Sequence, residues 1–146
     1  MQDFRKLLVW QKGHAIVLSI YRATSTFPDH EKYGLTSQMR RAAHSIPSNI
    51  AEGCGRAGRI ELRQFLHLAL GSASELDYFL LLSRDLQLLT SRQYETLEKR
   101  VLELKLMLSG LIRKLSLDLP LRSTANGGSS GEAIPHKVVR SSQLNT

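Results

Sequence analysis

The stretch RRAAHSIPSNIAEGCGR, residues 40–56, combines the pattern of a buried helix with residues that break helices. The apolar residues of the stretch continue a pattern that begins just before it. One 3.6-residue phase joins Leu35, Met39, Ala42, Ala43, Ile46 and Ile50. Pro47 interrupts the middle, where proline lacks an N–H group and costs a helix about 3 kcal/mol. The unbroken phase predicts one helix kinked at Pro47, capped by Thr36 or Ser37. The alternative is two helices, the second starting with Pro47 in its first turn.

The end of this stretch, EGCGRAG at residues 52–58, predicts a turn into the next helix. Gly53, Gly55 and Gly58 have the G-x-G-x-x-G spacing of a dinucleotide-binding loop. No strand precedes them, so the spacing does not predict nucleotide binding.

The N-terminal segment, Asp3 to Thr26, predicts a first helix with two apolar stripes. The stripe interpreted as the core face contains Leu7, Trp10, His14, Val17, Leu18 and Tyr21. The second stripe, Val9, Ile16 and Ile20, lies almost opposite, and a single core cannot cover both sides of a surface helix. We therefore assign the second stripe to a contact between subunits.

Two further helices are predicted between residues 59 and 115. The third, residues 59–88, has a core face from Leu62 to Leu80 and a neighbouring apolar face whose Phe79 and Leu82 are also assigned to a subunit contact. Its small-residue run around Gly71 predicts a close approach of another backbone. The fourth follows a Thr90–Gln93 capping box, and its apolar residues from Tyr94 to Leu115 alternate at spacings of three and four.

The chain has 146 residues, of which 42% are hydrophobic and 23% are charged, and this composition indicates one soluble domain. Residues 1–115 form the predicted all-α, antiparallel four-helix bundle, and the Ser- and Gly-rich residues 116–146 form a predicted flexible tail. Residues 1–115 carry 17 Lys and Arg against 11 Asp and Glu, or +6, and the tail adds +1. This surplus makes a polyanion a candidate partner.

Catalytic and metal-binding patterns are missing from the sequence. It has no Glu-x-x-His pair, no Cys/His set with zinc spacing and no Walker loop, so we expect no enzyme activity, no metal and no cofactor. The single cysteine, Cys54, is interpreted as an inert thiol, and His14 as a hydrogen-bonded core or interface residue. Without a long uncharged apolar run, we expect a cytoplasmic protein that does not enter a membrane.

Five arginines are the candidate nucleic-acid contacts, because the planar guanidinium group suits phosphate oxygens. Two lie on the outer side of the second helix and three surround the turn into the third: Arg40, Arg41, Arg56, Arg59 and Arg63. The alternative is that they form salt bridges with Glu52, Glu61 or Glu75. The sequence leaves the two interpretations open.

Three segments together resemble the four-helix-bundle family first described from intervening sequences in bacterial 23S ribosomal RNA genes. They are RRAAHSIPSNIAEGCGR at 40–56, FLHLALGSASEL at 65–76 and LLVWQKGHAIVLSIY at 7–21. The shared signature includes Pro47, Glu52, Gly53, Gly55 and Gly71. The resemblance covers roughly residues 4–115.

This resemblance implies an antiparallel bundle that assembles as a ring-like homopentamer. A related branch is the accessory variability determinant of diversity-generating retroelements, which binds nucleic acid and a reverse transcriptase. The resemblance therefore implies a non-enzymatic, oligomeric accessory protein that binds structured RNA, with a reverse transcriptase as a further partner. The alternative is a protein-interaction scaffold of the same family with no nucleic-acid role.

Overall fold

The computed structural model describes residues 2–119, and the regular structure of these residues is entirely helical. Two one-turn 3-10 helices, Phe4–Lys6 and Asp29–Glu31, precede α1 and α2, respectively. The four α-helices are α1 (Leu8–Thr24), α2 (Leu35–Gly55), α3 (Arg59–Asp85) and α4 (Ser91–Leu117). Helix α4 includes the first two residues of the predicted tail, and residues 120–146 lie outside the described part of the chain.

Helix α2 is a single helix that contains Pro47 in its interior, so the two-helix alternative is wrong. All six apolar residues of the predicted phase are buried, as is Pro47 itself. Polar side chains bond the carbonyls of this turn: Ser48 Oγ donates to the His44 carbonyl at 2.7 Å, and Asn49 Nδ2 donates to the Ser45 carbonyl at 2.8 Å. These bonds support the helix next to the Ala43 carbonyl, which has lost its donor at Pro47.

The predicted cap of α2 is wrong, because the helix begins at Leu35 and includes both Thr36 and Ser37. Gly34 occupies the N-cap position and has no side chain to offer. Glu31 replaces it from the preceding 3-10 helix, where its Oε2 accepts the Leu35 N–H at 3.0 Å. One orphan N–H group at the start of α2 is thereby satisfied by a carboxylate.

The four helices contact one another in a closed cycle, α1 with α2, α2 with α3, α3 with α4, and α4 with α1. This is the contact pattern typical of a four-helix bundle around one core. Predicted core residues of α3 and α4 are confirmed, although Leu62, Phe65 and Leu111 are only partly buried. Ile112 takes a buried place on α4 that the strict spacing had given to Leu111.

The stripe of α1 that was assigned to a subunit contact faces the core of the single chain. Val9, Ile16 and Ile20 are 4%, 2% and 0% exposed within the single chain, so their assignment to a subunit contact is wrong. Gly13 and Thr24 complete this buried stripe. Neither residue has an apolar side chain, so the hydrophobic pattern did not show that this side of α1 is one continuous core face. A Cβ at Gly13 would lie 3.4 Å from Ile46 Cγ2, so the glycine brings α1 close to α2.

Phe79 and Leu82, the other two residues of the predicted contact, are partly buried against the core. Their assignment to a subunit contact stays a prediction. Helix α3 ends at Asp85, three residues before the predicted end. Gln87 has φ of 61°, and the Leu88 N–H donates to the Ser83 carbonyl at 2.8 Å. This left-handed stop normally uses glycine, which is why the sequence did not reveal it.

The capping box of α4 is confirmed. The Gln93 N–H donates to Thr90 Oγ1 at 3.1 Å, and the Thr90 N–H donates to Gln93 Oε1 at 2.9 Å. Among residues 2–119, α3 is the single helix long and apolar enough to cross a membrane by length and composition. The core helix of a soluble protein meets the same criterion.

Candidate nucleic-acid interface

Two of the three arginines around the α2–α3 turn, Arg56 and Arg59, pair with carboxylates. Arg56 Nη2 lies 3.1 Å from Glu52 Oε1, one helical turn away, and the guanidinium lies 5.3 Å from the centre of the Phe65 ring. Arg59 Nη1 lies 3.0 Å from Asp118 Oδ2. The salt-bridge alternative is therefore correct for Arg56, and Arg59 pairs with a carboxylate that sequence spacing could not indicate. Both pairs are exposed, and such pairs stabilise a fold by only about 0–1 kcal/mol.

Arg63 is the third arginine near this turn, and it is partly buried. Its Nε is buried with no hydrogen-bond partner among the described residues. A buried donor without an acceptor is costly. Within residues 2–119, Arg63 forms no ion pair with a carboxylate.

Arg40 ties α2 to the end of α1. Its Nε donates to Thr24 Oγ1 at 2.9 Å, and its guanidinium lies 4.6 Å from the centre of the Tyr21 ring. The Thr24 hydroxyl in turn donates to the Ile20 carbonyl at 2.7 Å. Arg41 is exposed and has no ion pair among the described residues.

Three aromatic side chains form a cluster at the start of α1 and on the 3-10 helix before it. The rings of Trp10 and His14 stack with centroids 5.1 Å apart and planes 7° from parallel, and Phe4 tilts against Trp10 at 5.0 Å. His14 is exposed in the single chain, so the core alternative predicted for it is wrong, and the interface alternative stays a prediction. A shallow cavity of about 320 Å³, here named the α1–α2 face, is lined by Phe4, Trp10, His14, Val17, His44, Pro47, Ser48 and Ala51.

This face was not predicted, because the helical stripe that contains Trp10 and His14 was interpreted as a core face. Their spacing of four residues is a signal for stacking along one side of a helix. Leu18 and Tyr21 from the same predicted core stripe are 43% and 42% exposed. The predicted core stripe is therefore divided: His14, Leu18 and Tyr21 are exposed, whereas Leu7, Trp10 and Val17 are partly buried against the core.

Cys54 is buried, and burial raises the pKa of its thiol, with a further rise from the negative charge of Asp3. A raised thiol pKa disfavours the reactive thiolate. Within residues 2–119, no group of three or more His, Cys, Asp or Glu residues is arranged to hold a metal ion.

The glycines of the signature stretches differ in their surroundings. A Cβ on Gly53 would lie 2.8 Å from Phe65 Cβ, so this glycine allows α2 and α3 to meet. Gly55 and Gly71 have no atom within 4 Å of such a Cβ. The close backbone approach predicted at Gly71 does not occur within the described chain.

Comparison with known proteins gives one family. The family model described as 23S rRNA-intervening sequence protein matches residues 5–110. A solved structure from Bacteroides thetaiotaomicron VPI-5482, described as a protein with unknown function from the S23 ribosomal protein family, is 25% identical in sequence. The match covers 73% of this chain and 99% of that one, with a TM-score of 0.66. No curated protein matches significantly.

The family match spans the signature stretch and all but the last turns of α4, and the structural match agrees with the all-helical fold. The chain belongs to the 23S rRNA-intervening sequence protein family.

Proposed function

We propose that the protein is a non-enzymatic accessory protein that binds structured RNA and takes unpaired nucleotides on the α1–α2 face. The observation that carries the proposal is the stacked pair Trp10 and His14 in one cavity with His44. The exposed Arg41 precedes His44 by three residues, on the same side of α2. Unpaired RNA bases stack on aromatic side chains, and neighbouring basic groups contact the backbone. The face thus offers aromatic rings for stacking and His44 as a polar neighbour, and Arg41 adds a positive charge nearly one helical turn away on α2.

The charge of the folded part supports the same proposal. Residues 2–119 contain 17 Lys and Arg against 12 Asp and Glu, a net charge of +5. The ion pairs of the predicted contacts Arg56 and Arg59 are exposed, so a polyanion can replace the carboxylates at small cost. Phosphate contacts of this kind release counterions and make binding depend on salt.

The proposal includes the architecture that the family resemblance implies. The helices form an antiparallel bundle bent at Pro47, and copies of the chain assemble into a ring-like homo-oligomer of five subunits. Outward side chains of α3 support self-association, since Leu68, Tyr78 and Leu81 are 55%, 57% and 36% exposed. By the same resemblance, a reverse transcriptase is the proposed protein partner.

These exposed apolar side chains also favour a second candidate, a protein-interaction scaffold without a nucleic-acid role. An apolar patch on a helix is a common site of protein association. Purification of the full chain from its host separates the two functions. Co-purified RNA that ribonuclease removes supports RNA binding, whereas a stoichiometric protein partner retained after ribonuclease treatment supports the scaffold.

Trp10 is the only tryptophan of the chain, so its fluorescence reports on the α1–α2 face alone. Titration of the full chain with an RNA hairpin that has an unpaired loop should quench this emission at low salt. His14→Ala should weaken binding by roughly 5-fold or more, since stacking contributes about 1–3 kcal/mol per base. His67→Ala is the matched control, because His67 is also an exposed helical histidine but lies on α3.

Absence of RNA binding at low salt would overturn the proposed function. Binding that leaves the Trp10 emission unchanged, with equal affinities for the His14→Ala and His67→Ala variants, would show that the α1–α2 face is not the site. Thermal unfolding of both variants checks that neither substitution disturbs the fold.

A further inference from the structure

A second cavity lies on the other side of α1, between its last turns and the start of α4. This α1–α4 groove encloses about 420 Å³. Three arginines line it, Arg22 from α1 and Arg92 and Arg100 from α4. None of them belongs to the five arginines singled out in the sequence.

The lining of the groove carries an excess of positive charge. Its described lining contains no Asp or Glu, and none of its three arginines forms an ion pair among residues 2–119. Glu103, the carboxylate nearly one turn further along α4, is engaged elsewhere. Lys12 Nζ donates to its Oε1 at 2.6 Å, which holds the pKa of Glu103 below its ordinary value.

Three guanidinium groups around one opening repel each other unless an anion lies between them. One of the three is already oriented: Arg100 Nη1 donates to Ser19 Oγ at 3.0 Å, across the groove from α4 to α1. Arg56 and Arg59 differ, because each has a carboxylate within 3.1 Å. The groove thus brings three arginines together on one concave surface, and none of them has an ion-pair partner within residues 2–119.

The start of α4 adds a positive helix dipole to the groove, but its backbone N–H groups are not the main anion contacts. The N–H groups of Thr90 and Gln93 are already used by the capping box, so the arginines must provide the main contacts. The positive end of the α4 dipole still favours an anion there. Thr96 contributes a further hydroxyl to the lining. A volume of 420 Å³ falls in the usual range for small-ligand sites.

We infer that the α1–α4 groove binds a phosphate ester, which Arg22, Arg92 and Arg100 hold through charge-assisted hydrogen bonds. The ester belongs either to an RNA strand or to a free nucleotide. The RNA source rests on the proposed function, and a strand bound there would contact α1 on the side opposite Trp10 and His14. The nucleotide source is independent of that function.

The test compares two full-length variants with the same loss of charge. One carries Arg22→Gln, Arg92→Gln and Arg100→Gln. The control carries Lys6→Gln, Arg113→Gln and Lys114→Gln, three exposed residues outside the groove, of which Arg113 lies about 30 Å along α4 from Arg92. Each protein is titrated with a single-stranded RNA oligonucleotide and, separately, with ATP over a range of salt concentrations.

If the ligand is an RNA strand, the groove variant should bind the oligonucleotide at least 10-fold more weakly than the control, and its salt slope should fall by about 2. If the ligand is a free nucleotide, ATP should bind the wild type and the control saturably, and the groove variant should lose that binding. A third variant with lysine at all three groove positions keeps the charge but loses the guanidinium fork, so its affinity should be intermediate.

Equal affinities of the groove and control variants for both probes would overturn the inference. That result, with RNA still bound by the wild type, leaves the proposed function intact. Loss of ATP binding in the groove variant of a protein that binds no RNA overturns the proposed function and supports the groove. Matching unfolding curves for the two triple variants exclude misfolding as the cause of a difference.

Discussion

Gly53 and Gly71 are both glycines inside helices, but they meet different surroundings. A Cβ on Gly53 would lie 2.8 Å from Phe65 Cβ and 3.1 Å from Leu62 Cδ1. Phe65 Cβ is fixed to its own backbone, so it cannot move without shifting α3. Gly71 is exposed, and a Cβ there would meet no atom within 4 Å. One residue type thus serves close helix packing at one position and leaves an open helix surface at the other.

We expect Gly53→Ala to lower the free energy of unfolding and Gly71→Ala to raise it. At Gly53 the steric cost of about 1–3 kcal/mol exceeds the gain in helix propensity of about 1 kcal/mol. At Gly71 the propensity gain acts alone. Urea unfolding at one fixed protein concentration measures both changes, with the fixed concentration removing the effect of assembly.

A stabilised Gly53→Ala variant would contradict the close packing of α2 on α3. If Gly71→Ala destabilises the protein more strongly as protein concentration rises, a second subunit approaches Gly71. That outcome would support the close backbone approach predicted from the small residues of α3.

Residue periodicity predicted the core faces of α2, α3 and α4 but assigned the buried stripe of α1 to a subunit contact. The buried stripe contains Gly13 and Thr24, which carry no apolar signal, although Gly13 lets α1 approach Ile46. The hydrophobic pattern did not show which stripe of α1 is buried in the core, and only the packing of α1 against the other helices does. The site was less predictable than the fold, because stacking of Trp10 on His14 and pairing of Arg59 with Asp118 depend on folded side-chain positions.

The backbone N–H groups at the starts of α2 and α4 find their hydrogen-bond acceptors in different ways. Helix α4 uses its own capping box, which the sequence shows directly. Helix α2 begins after Gly34 and takes its acceptor from Glu31, four residues before Leu35. Capping by a residue of the preceding turn has no fixed sequence pattern, which explains why Thr36 and Ser37 were predicted instead.

Thr90→Ala should therefore lower the free energy of unfolding by about 1 kcal/mol, because it removes the hydroxyl that accepts the Gln93 N–H. Ser37→Ala is the control. Ser37 is exposed and makes no cap bond at the start of α2, so its loss should change stability by less than about 0.5 kcal/mol. Denaturant midpoints of the two variants test the difference, and equal effects would refute the assignment of the caps.

For the whole molecule, the outer side of α3 is the candidate surface for self-association. Phe79 and Leu82 are partly buried there, while Leu68 and Tyr78 are more than half exposed. The core of the single chain covers Val9, Ile16 and Ile20, so these residues are not available for a contact between subunits. The proposed ring must therefore be built from α3 and other outward side chains.

Sedimentation velocity at micromolar concentration should show an oligomer for the wild type, and Leu68→Glu should shift it toward monomers. A buried charge at an apolar contact is strongly unfavourable. Tyr33→Glu is the matched control, since Tyr33 is 88% exposed in the loop before α2. A wild-type chain that sediments only as a monomer would contradict the proposed assembly.

The buried thiol of Cys54 can also report the rate at which this part of the chain opens locally. Its side chain is 2% exposed, and its carbonyl accepts the Gln2 N–H at 3.1 Å, so the N-terminal segment is bonded to this end of α2. Because the chain has one cysteine, a thiol reagent can modify it at that position alone and only when this region opens. The labelling rate would then report how often the N-terminal segment and the end of α2 separate, and whether RNA or a second subunit slows that separation.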